Sequence, residues 1–161
     1  MKKSLFIFWL FLFSKLMLIA QNPESINRDG LKTLLNKGAE SNDIYIFNFW
    51  ATWCAPCVKE IGYFEKIKRE YTDKGVHVIL INLDFKDQIQ ERVMPFLRKH
   101  EITATVYHMQ DMDYNSWIPV VDRSWSGAIP ATLIRKNDEK VFFEKELNQD
   151  ELYKLVNNYL K

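Results

Sequence analysis

Phe49-Trp50-Ala51-Thr52-Trp53-Cys54-Ala55-Pro56-Cys57 contains both cysteines of this 161-residue chain, separated by two residues. The segment Ile44–Trp50, rich in β-branched and aromatic residues, predicts a buried strand that leads into the first cysteine. Residues 58–71 carry apolar side chains at helical spacing with charges between them, which predicts an amphipathic helix. The two thiols are therefore predicted to lie where a strand meets a helix.

A helix start changes the chemistry of a thiol. Unpaired N–H groups and the positive end of the helix dipole stabilise a thiolate there, so Cys54 is predicted to be the nucleophile. Cys57 shares the same helix face one turn deeper, within reach of a disulfide, and is predicted to be the resolving thiol. Pro56 fits the first turn, where its missing N–H has no partner to lose. The alternative is a pair of buried structural cysteines.

Two separated motifs carry a family resemblance. Trp53-Cys54-Ala55-Pro56-Cys57 after an apolar strand resembles the active site of thioredoxin-fold proteins, and Gly127-Ala128-Ile129-Pro130-Ala131-Thr132 resembles the segment with that fold's cis-proline. The run Asn48-Phe49-Trp50-Ala51-Thr52-Trp53-Cys54, with Lys59-Glu60 after it, resembles the TlpA/ResA branch, which comprises exported thiol:disulfide oxidoreductases of bacteria. The likeness covers residues 44–161 and implies an α/β, thioredoxin-like fold, with a central mixed sheet and helices on both faces.

The resemblance also assigns roles to single residues. It implies that Pro130 follows a cis bond beside the thiols, and that the backbone of Ile129 pairs with a bound peptide. Cytosolic thioredoxins carry a buried, proton-accepting Asp where this chain has Asn48. The resemblance therefore shifts that role to Glu60, which lies one turn beyond Cys57. The alternative for Glu60 is a solvated helix charge.

The tryptophans near the motifs have different predicted roles. Trp53 is predicted to shield the thiols and to form part of the partner-binding surface, while Trp50 is predicted to lie in the core. Trp117 and Trp125 precede the proline motif in an irregular polar segment. They either build a rim that binds a partner or pack beneath a long loop.

Periodicity and turn residues predict the remaining elements. Pro95 predicts a kink or an early break in the helix that contains it. The predicted elements are a helix at 25–37, a strand at 76–84, a helix at 86–100, a strand at 103–107, an irregular segment at 109–125, a hairpin at 131–135 and 140–144, and a helix at 149–160.

The first twenty residues predict a secretory signal. A short basic start is followed by an apolar run that Lys15 interrupts, and cleavage is predicted after Ala20. The alternative is an uncleaved anchor, although the run is shorter than the ~20 residues of a spanning helix. The domain organisation is therefore a signal peptide at 1–20 and a thioredoxin-like domain at 21–161. The predicted location is the periplasm or the outer face of the cytoplasmic membrane.

Composition excludes several function classes. The net charge is only +1, with three lysines in the first fifteen residues, so no nucleic-acid-binding surface is indicated. One cysteine pair leaves no thiols for a disulfide framework or for a structural zinc site. The three histidines, His77, His100 and His108, match no ligand spacing, and no metal site is predicted.

The predicted function is thiol:disulfide exchange with protein substrates, with no bound cofactor because the two thiols carry the electrons. The Ala55-Pro56 pair is similar to that of thioredoxin and lacks the histidine of strongly oxidising relatives, so the reducing direction is favoured. A membrane thiol-reducing protein would then donate electrons, and apocytochrome c is a substrate by analogy. The alternatives are a disulfide-introducing oxidase and a thioredoxin-like module that binds copper through the thiols.

Overall fold

Six strands form one mixed sheet in a computed structural model that describes residues 22–161. The predicted signal segment, residues 1–20, lies outside the described residues. The strands are β1 Glu24–Ile26, β2 Ile44–Trp50, β3 Val76–Asn82, β4 Thr105–Met109, β5 Ala131–Lys136 and β6 Glu139–Phe143. Their order across the sheet is β1-β4-β3-β2-β5-β6. The first four in that order are parallel, and β5 and β6 are antiparallel to their neighbours.

Helices cover both faces of the sheet, which confirms the predicted thioredoxin-like fold. They are α1 Arg28–Ala39, α2 Ala55–Tyr71, α3 Met94–Lys99, α4 Tyr114–Val121 and α5 Gln149–Tyr159. Apolar residues of α2, α3 and α5 form one core with one face of the sheet. Apolar residues of α1 and α4 form a second core with the other face.

The position of β2 between two cores explains why its sequence is almost entirely apolar, with Asn48 as the polar exception. Ile46 and Trp50 belong to the core on the α2 side, whereas Phe47 and Phe49 belong to the core on the α1 side. A strand buried on both faces needs apolar residues at successive positions, as strands of parallel sheets do. Because β2, β3 and β4 are parallel, their carboxyl ends lie at one edge of the sheet, and β2 leads into Cys54 at that edge.

The first helix begins later than predicted. Residues 24–26 pair with β4 as a short edge strand, so a helix start at residue 25 is wrong. The side chain of Asn27 caps α1 by accepting a hydrogen bond from the Gly30 N–H at 2.9 Å. Only Ile26 of the three strand residues is buried, which leaves too short a pattern to predict a strand.

The segment predicted to be irregular at 109–125 contains the helix α4. Pro119 lies inside this helix, and so do Asn115 and Ser116. The segment therefore has a low intrinsic helix propensity. Trp117 and Val121 form its buried face, and their packing overrides the weak local preference. A prediction from local propensity alone was therefore wrong here.

Pro95 interrupts the helix predicted at 86–100, as expected of a helix proline. Residues 86–93 wind as short 3₁₀ and π turns, and the regular helix α3 begins at Met94. Pro95 therefore occupies the first turn, where no intrahelical bond needs its N–H. The predicted break lies before the proline, and the regular helix is confined to residues 94–99.

Trp117 should be one of the most sensitive core positions. It is fully buried, with its ring centroid 5.6 Å from that of Trp125 and 6.3 Å from that of Phe49. Trp117→Ala should lower the free energy of unfolding by ~3–5 kcal/mol, because it removes these contacts and leaves a cavity. Trp53→Ala is the control: Trp53 is 57% exposed, so its change should stay within about 0.5 kcal/mol. Urea unfolding followed by circular dichroism measures both, and equal losses would contradict this assignment.

Candidate active site

The two cysteines lie at the junction of β2 and α2 and form a disulfide. Their sulfur atoms are 2.03 Å apart and their Cα atoms are 5.2 Å apart. Cys54 is the N-cap residue of α2, and its Sγ accepts the Cys57 N–H at 3.3 Å. Cys54 is 6% exposed and Cys57 is 0% exposed, so Cys54 is the more accessible of the two residues. Ala55 and Pro56 lie exposed on the first turn between them.

A buried aspartate holds the turn that precedes the disulfide. Asp84 follows β3 at the same edge of the sheet, and its Oδ2 accepts the Thr52 N–H at 2.8 Å. Its Oδ1 accepts a hydrogen bond from the Thr52 hydroxyl, and Asn82 donates to Oδ2 at 2.7 Å. Asp84 was predicted only as the last residue of the strand at 76–84 and not as part of the site. The signal that could have found it is an acid directly after a buried strand beside β2.

The loop that ends at Pro130 lies against Cys54. The Ile129–Pro130 peptide bond is cis, and the Ile129 carbonyl oxygen is 3.7 Å from Cys54 Sγ. Pro130 is buried and Ile129 is partly exposed. The structure thus brings together two motifs that are 75 residues apart in the sequence.

Glu60 is a buried carboxylate and not a solvated helix charge, so that alternative is wrong. Asn48 Nδ2 donates to its Oε1 at 2.7 Å, and the Leu147 N–H donates to its Oε2 at 2.8 Å. Burial raises the pKa of Glu60 to about 7, against the opposing effect of these two hydrogen bonds. Glu60 is thus poised to exchange a proton near neutral pH, one helical turn beyond the buried Cys57.

Asn48 links Glu60 to the strand that follows the proline loop. Its Nδ2 also donates to the Thr132 hydroxyl at 3.1 Å, and both side chains are fully buried. Its Oδ1 is buried and has no hydrogen-bond partner among residues 22–161. The amide is therefore oriented with its donor towards the carboxylate, which favours the ionised form of Glu60.

The tryptophans divide between surface and core. Trp53 is exposed beside Cys54, and Trp50 is buried against Phe96 as predicted. Trp117 and Trp125 are both buried, so a partner-binding rim built from them is wrong. They pack beneath the loop instead, and the Trp125 Nε1–H donates to the Ala128 carbonyl at 2.8 Å.

Within residues 22–161, no three His, Cys, Asp or Glu side chains are grouped so that they could hold a metal ion. In the same part of the chain, no helix has the length and apolarity required to cross a bilayer.

The sheet, its helices and the Cys54–Cys57 disulfide against a proline loop define a thioredoxin-like protein. Residues 21–143 match the AhpC/TSA family, and the chain belongs to that family. One curated relative is the thiol-disulfide oxidoreductase ResA of Oceanobacillus iheyensis, 32% identical over 95 residues. That match covers 58% of this chain and 45% of the relative, so the chain spans less than half of that relative's length.

Solved structures share the fold at low sequence identity. A thioredoxin-related protein from Neisseria meningitidis serogroup B superposes with a TM-score of 0.62 at 22% identity, covering 74% of this chain and 86% of that one. A secreted thiol-disulfide isomerase from Corynebacterium glutamicum gives a TM-score of 0.61 at 20% identity, covering 75% and 72%. These likenesses support the fold, and the ResA match supports the resemblance inferred from the motifs.

Proposed function

We propose that this protein is a thiol:disulfide oxidoreductase that works outside the cytoplasm and reduces disulfides in protein substrates. The observation that carries the proposal is the position of Cys54. Its sulfur lies at a helix start, 3.7 Å from the Ile129 carbonyl oxygen of the proline loop. A thiolate at that point is stabilised by the helix, and the loop beside it offers backbone to an incoming peptide.

The reduced enzyme would act in two steps. The Cys54 thiolate attacks one sulfur of the substrate disulfide, forms a mixed disulfide and releases the other substrate sulfur as a thiolate. The Cys57 thiolate then attacks Cys54 Sγ, which forms the Cys54–Cys57 disulfide and releases the second substrate thiolate. Two electrons pass to the substrate, and the released thiolates take up two protons. A thiol reductant returns the enzyme to its dithiol form.

Glu60 is proposed as the base for the second step. Cys57 is buried and must lose its proton before it attacks, and Glu60 lies on the same helix face one turn away. A pKa of about 7 allows its carboxylate to accept that proton at neutral pH and to release it again. Asn48 and the Leu147 N–H hold the carboxylate in place.

The direction, location and partners belong to the same proposal. The Ala55-Pro56 pair favours the reducing direction, and the dithiol alone carries the electrons, with no bound cofactor. Residues 1–20 would direct export to the periplasm or the outer membrane face, with the mature chain beginning at Gln21. A membrane thiol-reducing protein would supply electrons, and a disulfide of apocytochrome c, reduced to its two thiols, is the proposed substrate by analogy with ResA-type proteins.

The reduction potential of the Cys54–Cys57 pair tests the direction. We expect a value nearer to the about −270 mV of thioredoxin than to the about −120 mV of DsbA. Equilibration with glutathione buffers, followed by quantification of the two thiols, measures it. A potential near that of DsbA would contradict a reductase and favour a disulfide-introducing oxidase. Stoichiometric copper binding to the reduced protein, without exchange activity, would favour a binding module.

A further inference from the structure

We propose that Glu144 is a positioning residue that holds the loop before Pro130 in the shape that receives a peptide substrate. This inference rests on the proposed function, in which the backbone of Ile129 pairs with the substrate. Glu144 follows β6 directly, and its carboxylate accepts hydrogen bonds from Ser126 and Ala128 of the loop. Its effect on exchange would be exerted through the loop, and it would be specific to substrates that contain peptide groups.

Three donors of the loop converge on this one carboxylate. The Ala128 N–H donates to Glu144 Oε1 at 3.0 Å, and the Ser126 N–H donates to Oε2 at 3.2 Å. The Ser126 hydroxyl also donates to Oε1. The hydroxyl bond in particular holds the pKa of Glu144 below its usual range, so the group is ionised at neutral pH. Hydrogen bonds to an ionised acceptor are stronger than those between neutral groups.

The other side of the loop is fixed as well. The Trp125 indole N–H donates to the Ala128 carbonyl at 2.8 Å, so both polar groups of the Ala128 backbone are engaged. Gly127 has a φ of +98°, a left-handed conformation that lets the chain turn between Ser126 and Ala128. Ile129 is the next residue, and its carbonyl faces Cys54 Sγ at 3.7 Å. The contacts of the loop with Glu144 and Trp125 therefore set the distance between the peptide-binding backbone and the attacking sulfur.

The same short connection also reaches the proposed base. Three residues after Glu144, the Leu147 N–H donates to Glu60 Oε2 at 2.8 Å. The chain between β6 and α5 thus contacts both the substrate loop and the carboxylate that would serve Cys57. A connection that only joined two elements would need neither contact.

The test compares two oxidised substrates with the reduced enzyme. One is a short synthetic peptide closed by an internal disulfide. The other is hydroxyethyl disulfide, which has no peptide groups and cannot pair with Ile129. Glu144→Gln keeps the size of the side chain but turns an amide N–H₂ towards loop donors. Glu139→Gln is the control, because it removes the same charge from the exposed far end of β6.

For Glu144→Gln we expect the KM for the peptide to rise about 3–10-fold, because the binding-competent loop becomes a smaller fraction of the population. The rate with hydroxyethyl disulfide should stay within about twofold of the wild-type rate, because catalysis at Cys54 is unaltered. The reduction potential should not change within experimental error. Amide hydrogen exchange at Ala128 should become faster. Ser126→Ala removes one donor and should change the peptide KM in the same direction by less.

Other outcomes would overturn the inference. If Glu144→Gln and Glu139→Gln give the same peptide KM, Glu144 is a surface carboxylate with no role in docking. If both substrates slow equally and the melting temperature falls, the role is general stability. Failure of the proposed function is distinguishable, because the wild-type enzyme would then not reduce the peptide at all.

Discussion

A Cys57→Ser variant should accumulate mixed disulfides through Cys54, whereas Cys54→Ser should form almost none. Cys54 starts the helix and is the more accessible sulfur, while Cys57 is fully buried. Without Cys57 the mixed disulfide must wait for an external thiol. Turnover should fall by at least about 10³-fold, because an intramolecular thiol acts at an effective concentration that solution thiols do not reach.

Non-reducing mass spectrometry after incubation with a disulfide-bonded peptide identifies the trapped species. Alkylation of the reduced wild-type protein near neutral pH provides an independent test, and it should label Cys54 well before Cys57. Trapping through Cys57, or faster labelling of Cys57, would show that the two roles are reversed.

Glu60→Gln should slow the release of substrate from the mixed disulfide by ~10²–10⁴-fold, the usual contribution of a general base. The same change should make the cysteine thiols more acidic, because a nearby negative charge disfavours a second one. In the wild type, the rate of release should rise as the pH passes about 7, where the Glu60 carboxylate becomes free to accept a proton. In the variant that rise should be lost.

Stopped-flow exchange across pH, with thiolate absorbance recorded in parallel, separates the two effects. The titrations of Glu60 and the thiols are coupled, so the observed pKa values belong to the group. Glu65→Gln is a matched control: Glu65 is also a buried carboxylate of α2, but it binds the Thr103 and Ala104 N–H groups away from the thiols. If Glu60→Gln changes neither the thiol titration nor the release rate, Glu60 has no catalytic role.

The pH dependence of stability gives a second readout for Glu60. Its pKa rises from 4.5 to about 7 on folding, so the folded protein holds this proton more tightly than the unfolded chain. That contribution is fully present below pH 4.5 and is lost as the pH rises through about 7. Relative to Glu60→Gln, the wild type should lose ~3 kcal/mol of unfolding free energy across that range. A constant difference between the two proteins would contradict the raised pKa.

Local patterns were sufficient to predict the centre of this protein. The junction of β2 and α2 was predictable because an apolar strand, two unique cysteines and a periodic helix adjoin one another in the sequence. Glu60 was singled out by the family resemblance, in which Asn48 stands where cytosolic thioredoxins carry an acid, together with its spacing to Cys57. The sequence could not show that Glu60 is buried, because the groups that cover it, including the Leu147 N–H, come from the far end of the chain.

The contacts of the residues that shape the site from a distance were not predictable. Asp84 is 32 positions from the Thr52 it holds, and Glu144 is 18 positions from Ser126. Each acid follows the end of a strand, which marks it as a candidate, but only the folded chain shows which loop it contacts. The helix α4 was not predicted, for a different reason. Its local propensity is poor, and Trp117 stabilises it through contacts that form only when the sheet is assembled.

The register of β1 has a consequence for where the first strand begins relative to the disulfide. Glu24 lies beside Tyr107 of β4, and the same row continues through Ile81 of β3 to Phe49 of β2. Phe49 is the last but one residue of the strand that leads into Cys54. The start of β1 and the disulfide therefore lie towards the same edge of the sheet, with β3 and β4 between β1 and β2.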